Sequence, residues 1–507
     1  MPGNQPLVSA SPHSRAPLRA MELSGRALWL SFAAATTGTF MVNVDASVVN
    51  VALPVLQKTF MMPIATLQWI VTAYLLVITG TLPVAGRLAD WLGRREVFLA
   101  GIAVFVLGSV ACAVSPDFSA LVAARIFQGF GGAIIMANVM AIIALIFPPE
   151  QRGKALGLIG SVVAAGTLAG PPLGGLLTAT YGWRSIFWIN LPVGIWGLLG
   201  SWRYLPRFAR DRAFHLRTLD WPGALLFMLA TSLFQFSLVN LHRPAGWVLL
   251  ILTGLAVYGF VRVEKTVALP LIPLRLFRIR AFSLNMISGL AYWVLMMFPA
   301  FLLPFYLKEE LHLPIGLIGL SLVPQALAMI VVSPWGGRMS DRYGVLVPGR
   351  IALGLFIVAD VLFAVLPATP PLWQVWALLL VIGTAAGLFS SPQNAAVLNA
   401  VAKPDTGLAS SLLATQRNLG RAMGVAFASI ILSLVWMAHG LGATPSHSNS
   451  QYALWFLWGF RGVFWSGVGF AVVGLATLAQ PPAAAPKGPR IDSQKQIAIS
   501  DQGAEGS

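Results

Sequence analysis

The feature that most constrains this chain is a series of apolar runs, each long enough to cross a lipid bilayer. A helix needs about 20 mostly apolar residues to span about 30 Å of hydrocarbon. The runs are rich in Leu, Val, Ala and Gly without two-residue alternation, which predicts helices rather than barrel strands. Fourteen runs, and hence 14 transmembrane helices of an all-α polytopic membrane protein, are predicted near residues 28–51, 67–85, 97–114, 119–147, 155–180, 186–205, 220–240, 246–261, 282–307, 315–336, 350–367, 373–399, 407–437 and 460–480.

The charge content excludes most other classes of protein. Of the 507 residues, 57% are apolar and 10% are charged, whereas a soluble domain has about 25% charged residues. The single cysteine, Cys112, excludes a disulfide framework and a cysteine-based metal site, and the six histidines form no HExxH pair. There is no GxxxxGKS or GxxxxGKT phosphate-binding loop. We therefore predict a protein that is not an enzyme, with no catalytic residue, cofactor, metal site or built-in ATP motor.

The basic residues predict the orientation of the spans. With the N-terminus in the cytoplasm, 25 of the 33 Lys and Arg residues fall in inside segments and five in outside segments. Such a bias is the usual signature of cytoplasmic loops. The net charge of +16 therefore reflects topology rather than a nucleic-acid partner. The sequence predicts a multi-pass plasma membrane protein, in a bacterial inner membrane, with both termini cytoplasmic and the Arg203–Arg217 loop inside.

Two predicted cytoplasmic loops repeat one pattern. The loop after the second run contains Gly86, Asp90 and Gly93, followed by Arg94 and Arg95. The loop after the tenth run has the same GRxxDxxG spacing, in Gly337, Asp341 and Gly344. A repeat at half the chain length is typical of transporter folds that are built from two related halves. Short loops between long helices also favour glycine and a charge, but four matching positions favour the repeat.

These loops belong to a larger set of motifs that resembles one family. The first loop is similar to the signature loop of the major facilitator superfamily. The antiporter motif of its exporters is matched in spacing by Gly157, Gly166, Gly170, Pro171, Gly174 and Gly175. The stretches Asp45–Pro54, Arg125–Gly129, 182–192 and 270–278 resemble motifs of the fourteen-span drug:proton antiporter family of multidrug and quaternary-ammonium resistance exporters.

The resemblance implies a fold and a division of the chain. The expected fold is the major facilitator fold, in which two six-helix bundles are joined by two extra helices. The predicted parts are a cytoplasmic tail (1–26), an N-terminal bundle (27–205), a linker with two extra helices (206–265), a C-terminal bundle (266–480) and a disordered cytoplasmic tail (481–507).

Three charged residues inside the runs are candidates for proton coupling. Asp45 and Asp360 are the two acids within the spans, and a charged carboxylate in hydrocarbon is costly enough to need a cavity or a partner. Arg125 and Asp45 each lie about six residues from the outer end of their runs, hence at equal depth. We expect them to interact and to exchange a proton during transport. A permanent structural ion pair, an outward-reaching Arg125 and a local hydrogen-bonding role for Asp360 are the alternatives.

The other motifs predict conformational and binding roles. The glycine motif has no titratable group, so we expect it to allow close packing or bending that seals the closed state. The Asp90 and Arg94 loop is expected to pair charges between helix ends and act as a switch. Arg417 and Arg421, four residues apart, share one helical face and disfavour a strongly cationic substrate nearby. The candidate cavity residues are Asn43, Trp69, Tyr74, Gln128, Tyr292, Trp293 and Phe298.

The resulting functional hypothesis is a proton-driven exporter of amphipathic, aromatic or cationic drugs by alternating access. Its partners would be a small amphipathic substrate, protons and the lipid bilayer. It would act as a monomer, with an adaptor protein as an optional partner. One alternative is an exporter of a single metabolite or antibiotic on the same fold. A non-transporting scaffold or sensor is the second alternative, and the charged residues in the spans disfavour it.

Overall fold

The computed structural model describes residues 25–208, 220–241, 244–267, 270, 272, 274–402, 405–440 and 452–479. The N-terminal tail up to residue 24, the C-terminal tail and most of the loop between 206 and 219 lie outside these residues. In chain order the helices are α1 (Arg26–Phe60), α2 (Ile64–Leu67), α3 (Trp69–Leu92), α4 (Arg94–Ala113), α5 (Phe118–Ile146), α6 (Pro149–Tyr181), α7 (Ser185–Trp188), α8 (Asn190–Tyr204), α9 (Trp221–Asn240), α10 (Pro244–Thr266), α11 (Arg280–Glu309), α12 (Ile315–Ser321), α13 (Val323–Tyr343), α14 (Leu346–Ala364), α15 (Leu372–Asn399), α16 (Thr406–Ala438) and α17 (Tyr452–Thr477).

These helices account for the fourteen predicted spans, because a single residue divides each of three spans. The dividing residues are Gln68 between α2 and α3, Ile189 between α7 and α8, and Leu322 between α12 and α13. Among the described residues, eleven helices are long and apolar enough to cross a membrane. Helices are the expected form, because hydrocarbon offers the backbone no hydrogen-bond partner outside the segment itself. The chain is a multi-pass membrane protein.

The first helix extends further than its apolar run. The run was placed at 28–51, whereas α1 continues through Pro54 to Phe60. Membrane-protein helices tolerate an internal proline because neighbouring helices and local adjustments satisfy the freed carbonyl groups. The polar Gln57, Lys58 and Thr59 end the apolar stretch without ending the helix. Apolarity therefore marks the part of α1 in hydrocarbon rather than its full length.

The helices form two groups, with α9 and α10 beside them. We call α1–α8 the N-terminal group and α11–α17 the C-terminal group. The groups meet where α1 packs against α11, α6 against α12, and α3 against α16. Helix α9 packs against both α3 and α16, with the Phe236 ring 4.4 Å from that of Trp69. The α9–α10 pair therefore covers the side of the seam between the groups.

The two repeated GRxxDxxG segments, predicted as loops, are instead the last turns of α3 and α13, and a glycine ends each helix. Gly93 after α3 has φ 106° and Gly344 after α13 has φ 77°, values at which a side chain would be strained. Each glycine N–H bonds the carbonyl group four residues earlier, at Ala89 and Ser340. The GRxxDxxG pattern thus forms the same helix end twice, once in each group.

Candidate functional site

A buried carboxylate stands at the centre of the N-terminal group. Asp45 of α1 has no exposed surface. Its Oδ2 lies 2.5 Å from Nη1 of Arg125 on α5. Its Oδ1 accepts hydrogen bonds from Gln128 Nε2 at 3.0 Å and from Asn190 Nδ2 at 2.8 Å. The expected contact between Asp45 and Arg125 is therefore present, and three donors from two neighbouring spans surround the carboxylate.

The Arg125 guanidinium group is equally well satisfied. Its Nε donates to the Ile70 carbonyl oxygen at 3.0 Å, and Nη1 also donates to Gln128 Oε1 at 2.6 Å. The guanidinium lies 4.0 Å from the centre of the Tyr74 ring, where the negative face of the ring attracts a cation. A buried ion pair is tolerated when hydrogen bonds satisfy its remaining atoms, and here they do.

Asn190 is a site residue that the sequence analysis did not select. Its amide donates to Asp45 and also to Ser109 Oγ of α4 at 2.9 Å, and Ser109 Oγ donates to the Phe187 carbonyl oxygen at 2.9 Å. Asn190 begins α8, directly after the break at Ile189. The stretch 182–192, which contains Asn190, resembles a motif of the drug:proton antiporter family. The sequence alone does not indicate that Asn190 faces Asp45.

The glycines of the antiporter motif place α6 directly against α1. A Cβ at Gly166 would lie 2.8 Å from the Phe40 carbonyl oxygen, and one at Gly174 would lie 2.7 Å from that of Val48. Gly170 faces Ser47 and Val48 in the same way. These contacts flank Asp45 along α1. The structure therefore shows close packing, the geometric role that small residues on a helix face permit.

Gly175 faces the other group of helices. A Cβ there would lie 2.9 Å from the Ile315 carbonyl oxygen and 3.0 Å from Gly319 Cα, both on α12. At the same end of the molecule, Lys58 Nζ lies 3.8 Å from Glu309 Oε1 and joins α1 to α11. Burial, and then the charge of Glu309, raises the pKa of the neighbouring Glu310. The two groups are thus in contact at the end predicted to face outside.

The repeated loops are only partly described at the level of side chains. The side chains of Asp90 and Asp341, and the surroundings of Gly157, lie outside the described part of the chain. Arg95 Nη2 donates to the Trp202 carbonyl oxygen, which links α4 to α8. A Cβ at Gly337 would lie 3.3 Å from Ser391 Oγ, and one at Gly86 would lie 4.0 Å from Ala137 Cβ. The switch role of these loops stays a prediction.

The candidate cavity residues separate into different surroundings. Tyr74 and Gln128 belong to the Asp45 network, and Tyr292 and Trp293 lie beside Arg417 and Arg421. The other three are Asn43, which donates to the Thr39 carbonyl oxygen at 2.8 Å, Trp69, whose ring contacts Phe236 of α9, and Phe298, whose ring contacts Phe470 of α17. We therefore omit Trp69 and Phe298 from the proposed substrate site.

Asp360 lies away from this network. It is buried on α14, and its carboxylate faces the backbone of Gly467 on α17. Asp360 Oδ2 has no hydrogen-bond partner among the described residues. Nothing in the described part of the chain gathers three His, Cys, Asp or Glu side chains into a metal-binding cluster.

The sequence and the fold both match known transporters. Residues 35–425 match the family model described as Major Facilitator Superfamily. The riboflavin transporter RibZ of Clostridioides difficile is 34% identical over 79% of this chain and 87% of its own length. The multidrug resistance protein Stp of Mycobacterium tuberculosis is 30% identical over 81% of this chain and 76% of its own length.

A solved structure supports the same assignment at the level of the fold. The structure of a bacterial homologue of the human lysosomal transporter Spinster, inward-facing and occupied, aligns with a TM-score of 0.64 at 16% identity. It covers 90% of this chain and 97% of that chain. With the motifs, the fourteen spans and these matches, the chain belongs to the Major Facilitator Superfamily, and its resistance-protein relatives are consistent with the drug:proton antiporter family.

Proposed function

We propose that this transporter is a proton-coupled antiporter that exports amphipathic compounds across the plasma membrane by alternating access. The observation that carries the proposal is the buried Asp45 carboxylate, which meets Arg125, Gln128 and Asn190 from two other spans. A titratable group at the junction of several helices can couple its charge state to their packing. Aromatic and cationic drugs are the predicted substrates. The positive charges of Arg417 and Arg421 disfavour strongly cationic compounds nearby and therefore favour the aromatic class.

In the proposed cycle, the charge of Asp45 controls its attachment to the neighbouring helices. The charged carboxylate accepts three strong hydrogen bonds, whereas a protonated one keeps fewer of them and loses the ionic attraction to Arg125. Protonation therefore loosens α1 from α5 and α8. Because α6 packs on α1 through its glycines and on α12 through Gly175, this change is transmitted to the contact between the groups. The glycine motif would then act as the sealing surface.

A small cavity beside Asn190 offers a position for a water molecule on the proton path. It has a volume of about 30 Å³ and lies between α1, α6 and α8, with Met41, Val44 and Asn190 in its lining. A space of this size holds about one water molecule. Since Asn190 donates directly to Asp45, such a water would lie one residue away from the carboxylate.

The remaining parts of the proposal concern organisation. The N-terminal bundle (27–205) carries the proton site, the C-terminal bundle (266–480) moves against it, and the linker region (206–265) covers the seam. Both termini face the cytoplasm, which makes the Lys58–Glu309 end the outer one. The transporter works as a monomer, with an adaptor protein as an optional partner.

The energy source is tested by measuring uphill uptake of a transported compound into inverted membrane vesicles. A protonophore should abolish uphill transport, and depletion of ATP with the proton gradient maintained should leave it intact. One elementary charge moving down about 100 mV releases about 2.3 kcal/mol, enough for more than tenfold accumulation at about 1.4 kcal/mol per factor of ten. Transport that followed ATP at a constant gradient would contradict the proposal.

A second candidate is an exporter of one physiological solute on the same fold. The similarity to a protein named as a riboflavin transporter favours it, whereas the similarity to a multidrug resistance protein favours broad export. A drug-susceptibility panel in an efflux-deficient host separates them. Resistance to several unrelated compounds supports broad export, and no resistance at normal expression supports the narrow exporter.

A further inference from the structure

Two arginines of the C-terminal group lack a counter-charge among the residues that the structure describes. Arg417 and Arg421 lie one helical turn apart on α16, about halfway along its 33 residues. Neither guanidinium takes part in a hydrogen bond or an ion pair among the described residues, and Arg417 Nε is buried without a partner. Both side chains are half-buried. Both residues are therefore partly accessible and unpaired within the described part of the chain.

Aromatic rings surround these two cations. The Trp293 ring centre lies 4.8 Å from the Arg421 guanidinium carbon and 5.9 Å from that of Arg417. Trp293 is held there because α16 packs closely on α11, where a Cβ at Gly420 would lie 2.6 Å from Trp293 Cβ. Tyr292 lies next to Trp293, with 4.9 Å between the ring centres, and stacks on Phe389 at 4.8 Å.

Tyrosine hydroxyl groups from both helix groups lie within reach of these charges. Tyr292 of α11 contacts Trp293, whose ring lies beside both arginines, and Tyr74 belongs to α3, the helix that packs on α16. Both hydroxyl groups are buried and have no hydrogen-bond partner among the described residues. Arg421 therefore lies on a helix of the seam between the groups, and the tyrosine on each side of that seam has no acceptor among the described residues.

The acids of the spans do not supply the missing charge. Asp45 is already bonded to Arg125, Gln128 and Asn190. Asp360 lies on α14, against Gly467 of α17. A charge in a low-dielectric interior is stable only with a partner of opposite sign or with ample hydrogen bonding. An external anion is the partner that this arrangement lacks.

We propose that Arg417, Arg421 and Trp293 form an anion-binding substrate site, and that the exported compounds are amphipathic aromatic acids rather than cations. The guanidinium groups would bind the carboxylate of such a compound through charge-assisted hydrogen bonds. Its ring would contact Trp293 and Tyr292, and Tyr74 would offer a further donor from the opposite group. This inference rests on the proposed transport function, to which it adds the substrate class.

The test uses three naphthalene probes of similar size and shape that differ mainly in their charge. Binding of tritiated naphthalene-1-acetate is measured on the purified full-length protein in phosphatidylcholine nanodiscs. Naphthalene-1-acetamide and 2-(naphthalen-1-yl)ethylammonium compete as the neutral and cationic analogues. We expect the acid to bind at least about tenfold more tightly than either analogue, as charge-assisted hydrogen bonds imply. Equal or tighter binding of the ammonium probe would overturn the inference.

Variants assign the binding to this site. Arg421→Gln and Arg417→Gln should each weaken binding of the acid about tenfold or more, and Arg421→Lys should restore part of it. Arg262→Gln is the matched control, because Arg262 also lies one turn from an aromatic partner, Tyr258, but is exposed on α10. All variants must elute as single species in gel filtration. Unchanged binding in folded Arg421→Gln would overturn the inference.

Two further arms separate the alternatives. Nanodiscs with added phosphatidylglycerol test whether a lipid headgroup is the anion that binds. Loss of probe binding, together with lipid retention that depends on Arg421, would overturn the substrate assignment. Proton-driven uptake into proteoliposomes tests transport of all three probes. Uptake of the ammonium probe without binding of the acid would refute this inference and leave the proposed function standing. Binding of the acid without gradient-driven uptake of any compound would refute the proposed function while the anion site stands.

Discussion

Two cationic sites lie in the two halves of this transporter, one buried and one half-buried, and they differ in whether an acid accompanies the charge. In the N-terminal group, Arg125 contacts the Asp45 carboxylate at 2.5 Å and donates two further hydrogen bonds. In the C-terminal group, Arg417 and Arg421 meet aromatic rings but no acid among the described residues. Among the described residues, the chain therefore provides a counter-charge in one half and none in the other.

The difference separates two tasks that an antiporter must combine. A cation paired with a titratable acid responds to the presence or absence of a proton. A cation without an acid responds to the arrival of an anion. Tyr74 lies 4.0 Å from the Arg125 guanidinium group, on the helix α3 that packs against α16. This proximity offers a physical route by which proton binding and substrate binding influence each other.

The largest effect is expected from removing the paired cation. Arg125→Ala leaves a buried carboxylate without its ionic partner, and breaking a buried pair in this way costs about 3–5 kcal/mol. We expect a lower midpoint of thermal unfolding in a fixed detergent and no uphill transport. The Asp45→Asn/Arg125→Ala double variant should lose less stability than the sum of the two single losses. Additive losses would show that the two residues do not act as one unit.

Removing an unpaired cation should raise the stability of the protein, whereas removing the paired cation lowers it. Arg421→Met takes away a charge for which the described part of the chain supplies no acid, and it keeps an unbranched apolar side chain. We expect a stability gain of about 1 kcal/mol or more without added anion, because replacing buried charges by apolar groups is often stabilising. The measurement is again the unfolding midpoint. A loss as large as that of Arg125→Ala would contradict the contrast between the two sites.

The smallest effect is expected at the exposed pair between the groups. Lys58 and Glu309 lie 3.8 Å apart with 57% and 18% of their side chains accessible. Exposed pairs contribute about 0–1 kcal/mol. Lys58→Ala should therefore change the midpoint of thermal unfolding little and leave transport close to that of the wild type. A loss of transport comparable to that of Arg125→Ala would mean that this pair is a gate in its own right.

The sequence predicted the parts of the site that depend on one helix at a time. Apolar length located the spans, and equal depth along two helices correctly predicted the contact between Asp45 and Arg125. The donor role of Asn190 depends on the break at Ile189 and on how α8 is rotated against α1. Neither feature has a sequence signal, because the sequence does not show which neighbouring helix an amide side chain in a span faces.

Rotation about the helix axis also explains the other differences. Trp69 and Phe298 are aromatic residues at suitable depths, yet they face α9 and α17. The glycine motif predicted close packing, but not that Gly174 contacts α1 while the adjacent Gly175 contacts α12. That no acid of the described residues lies near Arg421 follows only from the placement of all the spans. These features require the tertiary structure.

The central claim is that Asp45 exchanges the coupled proton. In inverted vesicles with an acidified interior reported by a pH-sensitive dye, adding a compound identified in the susceptibility panel should release protons through the wild-type transporter. We predict that Asp45→Asn abolishes this release at normal expression, that Asp45→Glu retains part of it, and that Asp360→Asn leaves it unchanged. Substrate-induced proton release that persists in Asp45→Asn would contradict the account, and its loss in Asp360→Asn would assign the proton site to α14.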